Sequence, residues 1–241
     1  MTQNMNDIRS MIETEGFAVI ECIYSNAEVT QILGLIDAVD RSKDTFRKSA
    51  DLFAIRQFLK EVPQIKPLLF NDKLQEMIST LFGDDFFVVK SIYFDKPAKS
   101  NWYVPYHQDL TIAVDKKITG LEHYTSWTTK QNQFAVQPPL SILENIFTIR
   151  IHLDETNESN GALKVIPKSH LKGVCLVDDL KGSESFCNVG LGGIMIMKPL
   201  LLHGSDRTIN EKNRRVIHIE FSNQQLAPTL EWAEYMAWKS K

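Results

Sequence analysis

Tyr106-His107-Gln108-Asp109-Leu110 is the stretch from which the chain can be read. A histidine and an aspartate two residues apart point to one side of an extended backbone, because side chains alternate along a strand. Their Cβ atoms then lie about 6–7 Å apart. Imidazole nitrogen and carboxylate oxygen each bind a first-row metal at about 2.0–2.2 Å, so one ion fits between them. Two ligands rarely hold a catalytic metal. A third must come from a distant part of the chain, and the fold has to bring it there. His-x-Asp by itself also suits an exposed polar loop, so the rest of the sequence has to decide.

Around this stretch the chain divides in character. Before Asp85 it reads as mainly helical. Residues 6–14 form a short helix ending near Gly16, and Phe17-Ala18-Val19-Ile20 is a compact apolar run suited to a buried strand. Ser25 is a good N-cap for a helix whose Val29, Ile32, Leu33, Ile36 and Val39 recur at helical spacing. Residues 41–62 read as loop with one short helix around Leu52–Phe58, and a further helix covers Leu74 to Phe82 and stops at Gly83.

From Asp85 onward, short β-branched and aromatic runs alternate with turn signals. Strands are expected at 86–94, 146–153, 162–166, 194–197, 200–203 and 214–222, with a turn at Asn160-Gly161. Residues 115–140 read as one long connection carrying Trp127 and Phe134, and loops of that length are commonly binding loops or lids. Leu230 to Met236 reads as a terminal helix. Helices followed by many short strands imply a mainly β fold, a sandwich or jelly roll with flanking helices. The expected organisation is one domain over 1–241, with a helical part at 1–84, a jelly-roll core at 85–222 and a tail at 223–241.

Composition sets the outer bounds. The chain has 241 residues, 43% hydrophobic and 24% charged, which suits an ordinary globular domain. A formal net charge of −3 argues against nucleic acid as the main partner. Cys22, Cys175 and Cys187 are irregularly spaced and odd in number, which is no disulfide framework, so a reducing cytoplasm is expected. Met1 to Glu15 is polar and acidic, with neither a signal-peptide core nor a membrane span. The expected partner is a small molecule, and nothing in the sequence sets an oligomeric state.

His203 ends an apolar strand and is followed by Gly204-Ser205, giving a histidine with buried backing and an open front. In a jelly roll it can face His107. Two histidines and a carboxylate on one face of an ion leave the opposite face open for chemistry. The hairpin after His203 returns Arg214 beside the metal strand, and arginine offers a planar fork that grips a carboxylate with two bonds. Alternation complicates that choice. It groups Arg215 with the apolar Ile217, Ile219 and Phe221, and Arg214 with Val216, His218 and Glu220, so periodicity alone favours Arg215 as the inward residue.

These pieces together resemble the phytanoyl-CoA dioxygenase family of iron(II)- and 2-oxoglutarate-dependent oxygenases, over roughly residues 14 to 222. They are His107-Gln108-Asp109; Leu153-Asp154 leading through Asn160-Gly161-Ala162-Leu163 to Ile166-Pro167-Lys168-Ser169-His170; His203-Gly204-Ser205; and Arg214. Lys168 stands where the family usually has glycine. The resemblance implies a double-stranded β-helix of cupin type. It makes His107, Asp109 and His203 the ligands of Fe(II), and Arg214 and Ser205 the residues that hold the distal carboxylate of 2-oxoglutarate. Arg150 would line the same pocket. It further implies hydroxylation of an unactivated C–H bond with O2, releasing succinate and CO2. Two other readings stand beside it: a non-catalytic jelly-roll binding protein, and a hydrolase or isomerase using the same triad with another metal.

Among the remaining residues, Trp102, Trp127 and Phe134 are candidates for the substrate entrance. His123, His152, His170 and His218 read as structural or surface groups. Lys96, Lys99, Lys116, Lys117 and Lys130 read as a solvated face that could also meet an anionic substrate. Lys90, on the first strand, is a further candidate for the co-substrate pocket.

Overall fold

The computed structural model describes residues 4–40, 46–48, 53–98, 100, 102–130, 133–175 and 182–239. The helical half contains α1 (Met5–Thr14), β1 (Phe17–Ile20), α2 (Asn26–Asp37), β2 (Phe46–Lys48), β3 (Phe53–Arg56), α3 (Phe58–Glu61), α4 (Lys66–Leu69) and α5 (Asp72–Phe82). There follow β4 (Phe87–Lys96), β5 (Val104–His107), β6 (Ile112–Val114), β7 (Thr125–Lys130), β8 (Gln133–Gln137), α6 (Leu140–Glu144), β9 (Ile146–His152), β10 (Leu163–Ile166), β11 (Ser185–Cys187), β12 (Ile194–Met197), β13 (Leu202–Ser205) and β14 (Arg214–Ser222).

The helices start where their caps demand. Ser25 and Glu28 close a capping box at α2, satisfying donors at both ends of the box. Asn71 caps α5, and Gly83 ends it at φ +89°, a backbone conformation that suits glycine. The buried stripe of α2 is Val29, Ile32 and Ile36, as its spacing indicates.

Seven strands form one sheet in the order β1-β12-β9-β14-β4-β3-β2, and four form a second in the order β11-β10-β13-β5. The large sheet buries both faces. On its outer face Phe147, Ile149, Ile151, Ile217, Ile219 and Phe221 pack with Ile32, Ile36, Leu74 and Ile78 of the helices. Phe82, Phe147 and Phe221 form a stacked column, with ring centroids 3.6 Å and 4.8 Å apart. On the inner face Met195 and Met197 meet Leu163, Val165 and Leu201 across the gap between the sheets. Toward β9, β14 and β4 the same inner face turns polar. That gap is where the site lies.

Three expectations need correction. The stretch around Leu52–Phe58 holds no helix in its described part: Phe53–Arg56 is a strand paired with β4, and a helical turn begins only at Phe58. The open edge of β4 recruits it, since edge pairing overrides weak local propensity. The connection at 115–140 contains β7 and β8, which join β6 in a three-stranded sheet. Leu230 to Met236 is not helical. Its backbone is spent on bridges from Trp232 to Val114 and from Met236 to Val88, and its apolar residues Leu230 and Trp232 are buried beneath them.

Phe147→Ala removes the middle ring of the aromatic column and should cost about 3–5 kcal/mol in urea unfolding. Leu140→Ala, at a side chain 41% exposed, should stay within about 0.5 kcal/mol of the parent.

Candidate active site

His107 closes β5 and His203 lies in β13, and the antiparallel register makes them direct partners. Their rings sit 4.3 Å apart between centroids. After His107 the backbone leaves the strand and Asp109 N–H donates to Pro199 O at 2.9 Å. The bend swings the carboxylate between the rings, with Oδ1 3.9 Å from His107 Nε2 and Oδ2 3.8 Å from His203 Nε2. One donor atom from each of the three residues lies within 4.8 Å of the others. The three are brought together by pairing plus a bend, and not by the single extended strand that the spacing suggested.

Each imidazole is held by its other nitrogen. His107 Nδ1 donates to Pro105 O and His203 Nδ1 to Leu201 O, both at 2.9 Å. A carbonyl can only accept, so the proton sits on Nδ1 and the Nε2 lone pair is free toward Asp109. Burial, offset in part by Asp109, pulls the His203 imidazole down to about 4, so its neutral form dominates near neutrality. Burial alone would raise the Asp109 carboxyl; the pull of His203 when that ring carries a proton, and of the Lys90 ammonium, outweighs burial and holds it below the usual carboxylate range.

Gln108 was not singled out by the sequence. It is buried between the two ligand candidates, and its amide donates to Leu200 O at 2.6 Å and Gly173 O at 2.8 Å while accepting from Cys175 N–H at 3.0 Å. The readable signal is the uncharged polar residue that alternation turns away from its neighbours.

A cavity of about 270 Å3 opens over the triad, and Arg150, Ser205, Arg214 and His218 line it. Arg214 donates through Nη1 to Gly161 O, and its Nε–H has no partner among the described residues. Arg150 donates to His218 Nδ1 at 3.1 Å, and its Nε–H is likewise unpartnered. His218 therefore carries its proton on Nε2 and donates that N–H to Glu220 Oε1 at 3.0 Å, which also accepts from Lys90 Nζ at 2.6 Å. Burial brings the two guanidiniums down to about 10 for Arg150 and about 9 for Arg214. Neither is in an ion pair with any described residue.

Arg215 is elsewhere. Its side chain grips Asp154 with two bonds, Nε to Oδ2 at 2.8 Å and Nη2 to Oδ1 at 2.6 Å, on the helix side of the sheet. The apolar alternation of β14 marks the face under the helices, so it selected the wrong side for the cavity. Gly161 adopts φ +81°, and a Cβ there would meet Asp206 O at 2.8 Å, so the Asn-Gly signature is a steric requirement. Lys168 adopts φ +67° where the family has glycine, a conformation that costs a side-chain-bearing residue about 1–2 kcal/mol.

The other candidates scatter. Trp102 lines the cavity over the triad, and Phe134 lines a neighbouring one. Trp127 packs on the cluster of Ile112, Val136 and Trp232 and lines neither. His152 is buried against Thr156, His170 bonds Glu13 O, and His123 is exposed beside Glu122. Lys96 is buried and donates to Asp206 O at 2.7 Å, so it belongs to no solvated face. Lys116 pairs with Asp115, Lys117 is exposed, and Lys99 and the Lys130 side chain lie outside the described residues.

A family model for phytanoyl-CoA dioxygenase matches residues 12–216, and the chain belongs to that family of Fe(II)- and 2-oxoglutarate-dependent oxygenases. Its general chemistry is of that kind, with Fe(II), 2-oxoglutarate and O2 as the reagents. Among curated proteins it is similar to the phytanoyl-CoA dioxygenase domain-containing protein 1 homolog of Caenorhabditis briggsae, at 21% identity over 95% of this chain and 94% of that one. Among solved structures it is similar to AviO1 from Streptomyces viridochromogenes, with a TM-score of 0.66, 18% identity, and 95% of this chain and 99% of that chain covered. HygX from Streptomyces hygroscopicus, solved with nickel and 2-oxoglutarate bound, matches with a TM-score of 0.64 at 15% identity, over 91% of this chain and 87% of that chain. These likenesses show the fold: a mainly β, cupin-like jelly roll. Among the described residues no helix is long and apolar enough to cross a membrane.

Gln108→Ala should cost about 1–3 kcal/mol, because the Cys175 N–H and two carbonyls lose their partner. Amide exchange at Cys175 should quicken more than exchange within β14.

Proposed function

We propose that this chain is a hydroxylase of the Fe(II)- and 2-oxoglutarate-dependent class, converting R–H, 2-oxoglutarate and O2 into R–OH, succinate and CO2. His107, Asp109 and His203 serve as the metal ligands in this reading. The observation that carries it is the pair of Nδ1-to-carbonyl bonds, which leaves two Nε2 lone pairs and a carboxylate converging from one side. Two neutral imidazoles and one carboxylate are the donor set that suits ferrous iron with open positions. When bound, the iron activates O2 at the expense of 2-oxoglutarate and supplies the oxidising power for C–H cleavage.

The chain's own residues handle binding and order. Arg214 and Arg150 are two buried cations with no carboxylate between them, and a dianion restores the balance. Arg214 is suited to the distal carboxylate of 2-oxoglutarate, with the buried Ser205 hydroxyl beside it. Ile92, Phe94 and Leu163 give the cavity apolar wall, which limits water where a reactive carbon would sit. HygX holds nickel and 2-oxoglutarate in the same fold, which supports the co-substrate. Two guanidiniums behind the triad, with no ion-pair partner among the described residues, favour 2-oxoglutarate over the hydrolase and plain binding readings.

Anaerobic Fe(II) with 2-oxoglutarate should give a visible charge-transfer band in the parent and none in His203→Ala. Arg214→Lys should raise the KM for 2-oxoglutarate about tenfold or more, since the ammonium keeps the charge and loses the fork, with iron affinity within about twofold. Arg215→Lys should leave that KM in place. The opposite pattern would return the role to Arg215. In saturating chloride the main product should be the alcohol, because Asp109 fills the position a halide would need. A chlorinated main product would remove Asp109 from the ligand set.

A further inference from the structure

A second cavity, of about 240 Å3, adjoins the first. The two share Arg56, Lys90 and Ile92, so these residues form a neck between them. None of His107, Asp109, His203, Arg150 or Arg214 lines the second cavity, which therefore lies outside the metal and co-substrate residues. Its floor is the β6-β8-β7 sheet. Ala113 and Ala135 are direct cross-strand partners there, and both line the space. Two methyl groups leave open what larger side chains would fill. Thr111, Thr128 and Gln133 add hydrogen-bonding groups to the wall.

The neck carries an ammonium group, that of Lys90. The Lys90 ammonium has three N–H donors and, among the described residues, one hydrogen-bond partner, Glu220. Its side chain is 23% exposed, while that of Glu220 is 5% exposed, and Lys90 lines both cavities. Burial works against its charge, but Glu220 and Asp109 outweigh it and keep the group above its ordinary range. The carboxylate that lines the side cavity, Glu234, is turned inward, buried, and held by Ser91 N–H at 2.8 Å and Ser91 Oγ–H at 2.6 Å.

We propose that the organic substrate is a compact carboxylate seated in this side cavity, its carboxylate at Lys90 and its target carbon projecting past Ile92 toward Asp109. The proposal rests on the hydroxylase reading and names the substrate class for it. The cavity is smaller than the roughly 300–1,000 Å3 of drug-sized ligand sites, so a coenzyme A thioester does not fit within it.

The test is a panel of carboxylic acids of about four to ten carbons, each paired with its primary amide, matched to a cavity of this size. Succinate release is read in the protein loaded with Fe(II) and 2-oxoglutarate. At least one acid should stimulate release about threefold or more, and its amide should not; the loss of a charge-assisted bond predicts a difference of that order. For that acid, Lys90→Gln should raise KM about tenfold with kcat within about threefold. Ala135→Phe, which fills the floor without touching the Lys90–Glu220 pair, should abolish the stimulation even if Lys90→Gln fails to fold. Ile209→Ala, at an exposed loop position, is the unaffected control. Preference for amides, no stimulation by any acid, or full stimulation in Ala135→Phe overturns the proposal. If the parent forms no Fe(II)–2-oxoglutarate band, the hydroxylase reading itself has failed; if the band forms and acids show no advantage, only the substrate class has.

Discussion

Two imidazoles face one point because each gives its Nδ1 proton to the carbonyl two residues earlier on its own strand. That bond needs extended backbone at both places, and the two strands must be in register at His107 and His203. A slip by one residue would turn one ring to the opposite face and leave no converging pair. Gly204 protects the register. A Cβ there would meet Val104 O at 2.9 Å and Tyr106 N at 3.2 Å, so a side chain would push β13 off β5 beside the rings it aligns. The pairing shifts between His203 and Ser205, and both side chains remain buried toward the cavity.

The second constraint is electrostatic. The inner face of β9, β14 and β4 buries a line of charge from Arg150 through His218 and Glu220 to Lys90, each joined to the next by a hydrogen bond. Glu220 and Lys90 cancel, and neutral His218 transmits the bond without adding charge. Among the described residues Arg214 has no such cancellation, and Arg150 has only the pull of Asp109 without a bond to it. A buried cation without a counter-ion is costly, and the cost is lifted by an anion arriving from solution. In the hydroxylase reading, that anion is 2-oxoglutarate, and its binding stabilises the folded chain. The outer face of the same strands is apolar and covered by helices, so the sheet separates a polar interior from its main stabilising core.

That two-sided burial explains which parts were legible in the sequence. His107, Asp109 and His203 could be found because their residue types and spacing have few other uses in combination. The choice between Arg214 and Arg215 could not be made from alternation, since the apolar side of β14 meets helices and the polar side meets the cavity. Gln108 and Gly204 were passed over because their work is to hold backbone, which leaves no chemical signature. Helices with caps, such as α2 behind Ser25, were legible from local rules. The strand at Phe53–Arg56 and the sheet at β6, β7 and β8 were not, because each is made by a distant partner.

The C-terminal stretch shows how such a partner decides structure. Leu230 to Met236 has a spacing that suits a helix, yet three of its neighbours need backbone bonds. Asp115 N–H donates to Glu231 O, Ala233 N–H to Ala113 O and Met236 N–H to Val88 O. In the same stretch, the Glu234 carboxylate takes two bonds from Ser91 on β4. The tail is thus a strap with one side on β6 and the other on β4, and it ties the small sheet to the large one. As a helix it would satisfy its own backbone and release both. Strand register fixes the triad, whereas this strap fixes the floor of the side cavity. The triad and the side cavity are held by separate fastenings, so loops around β6, β7 and β8 can be reshaped without moving the histidines.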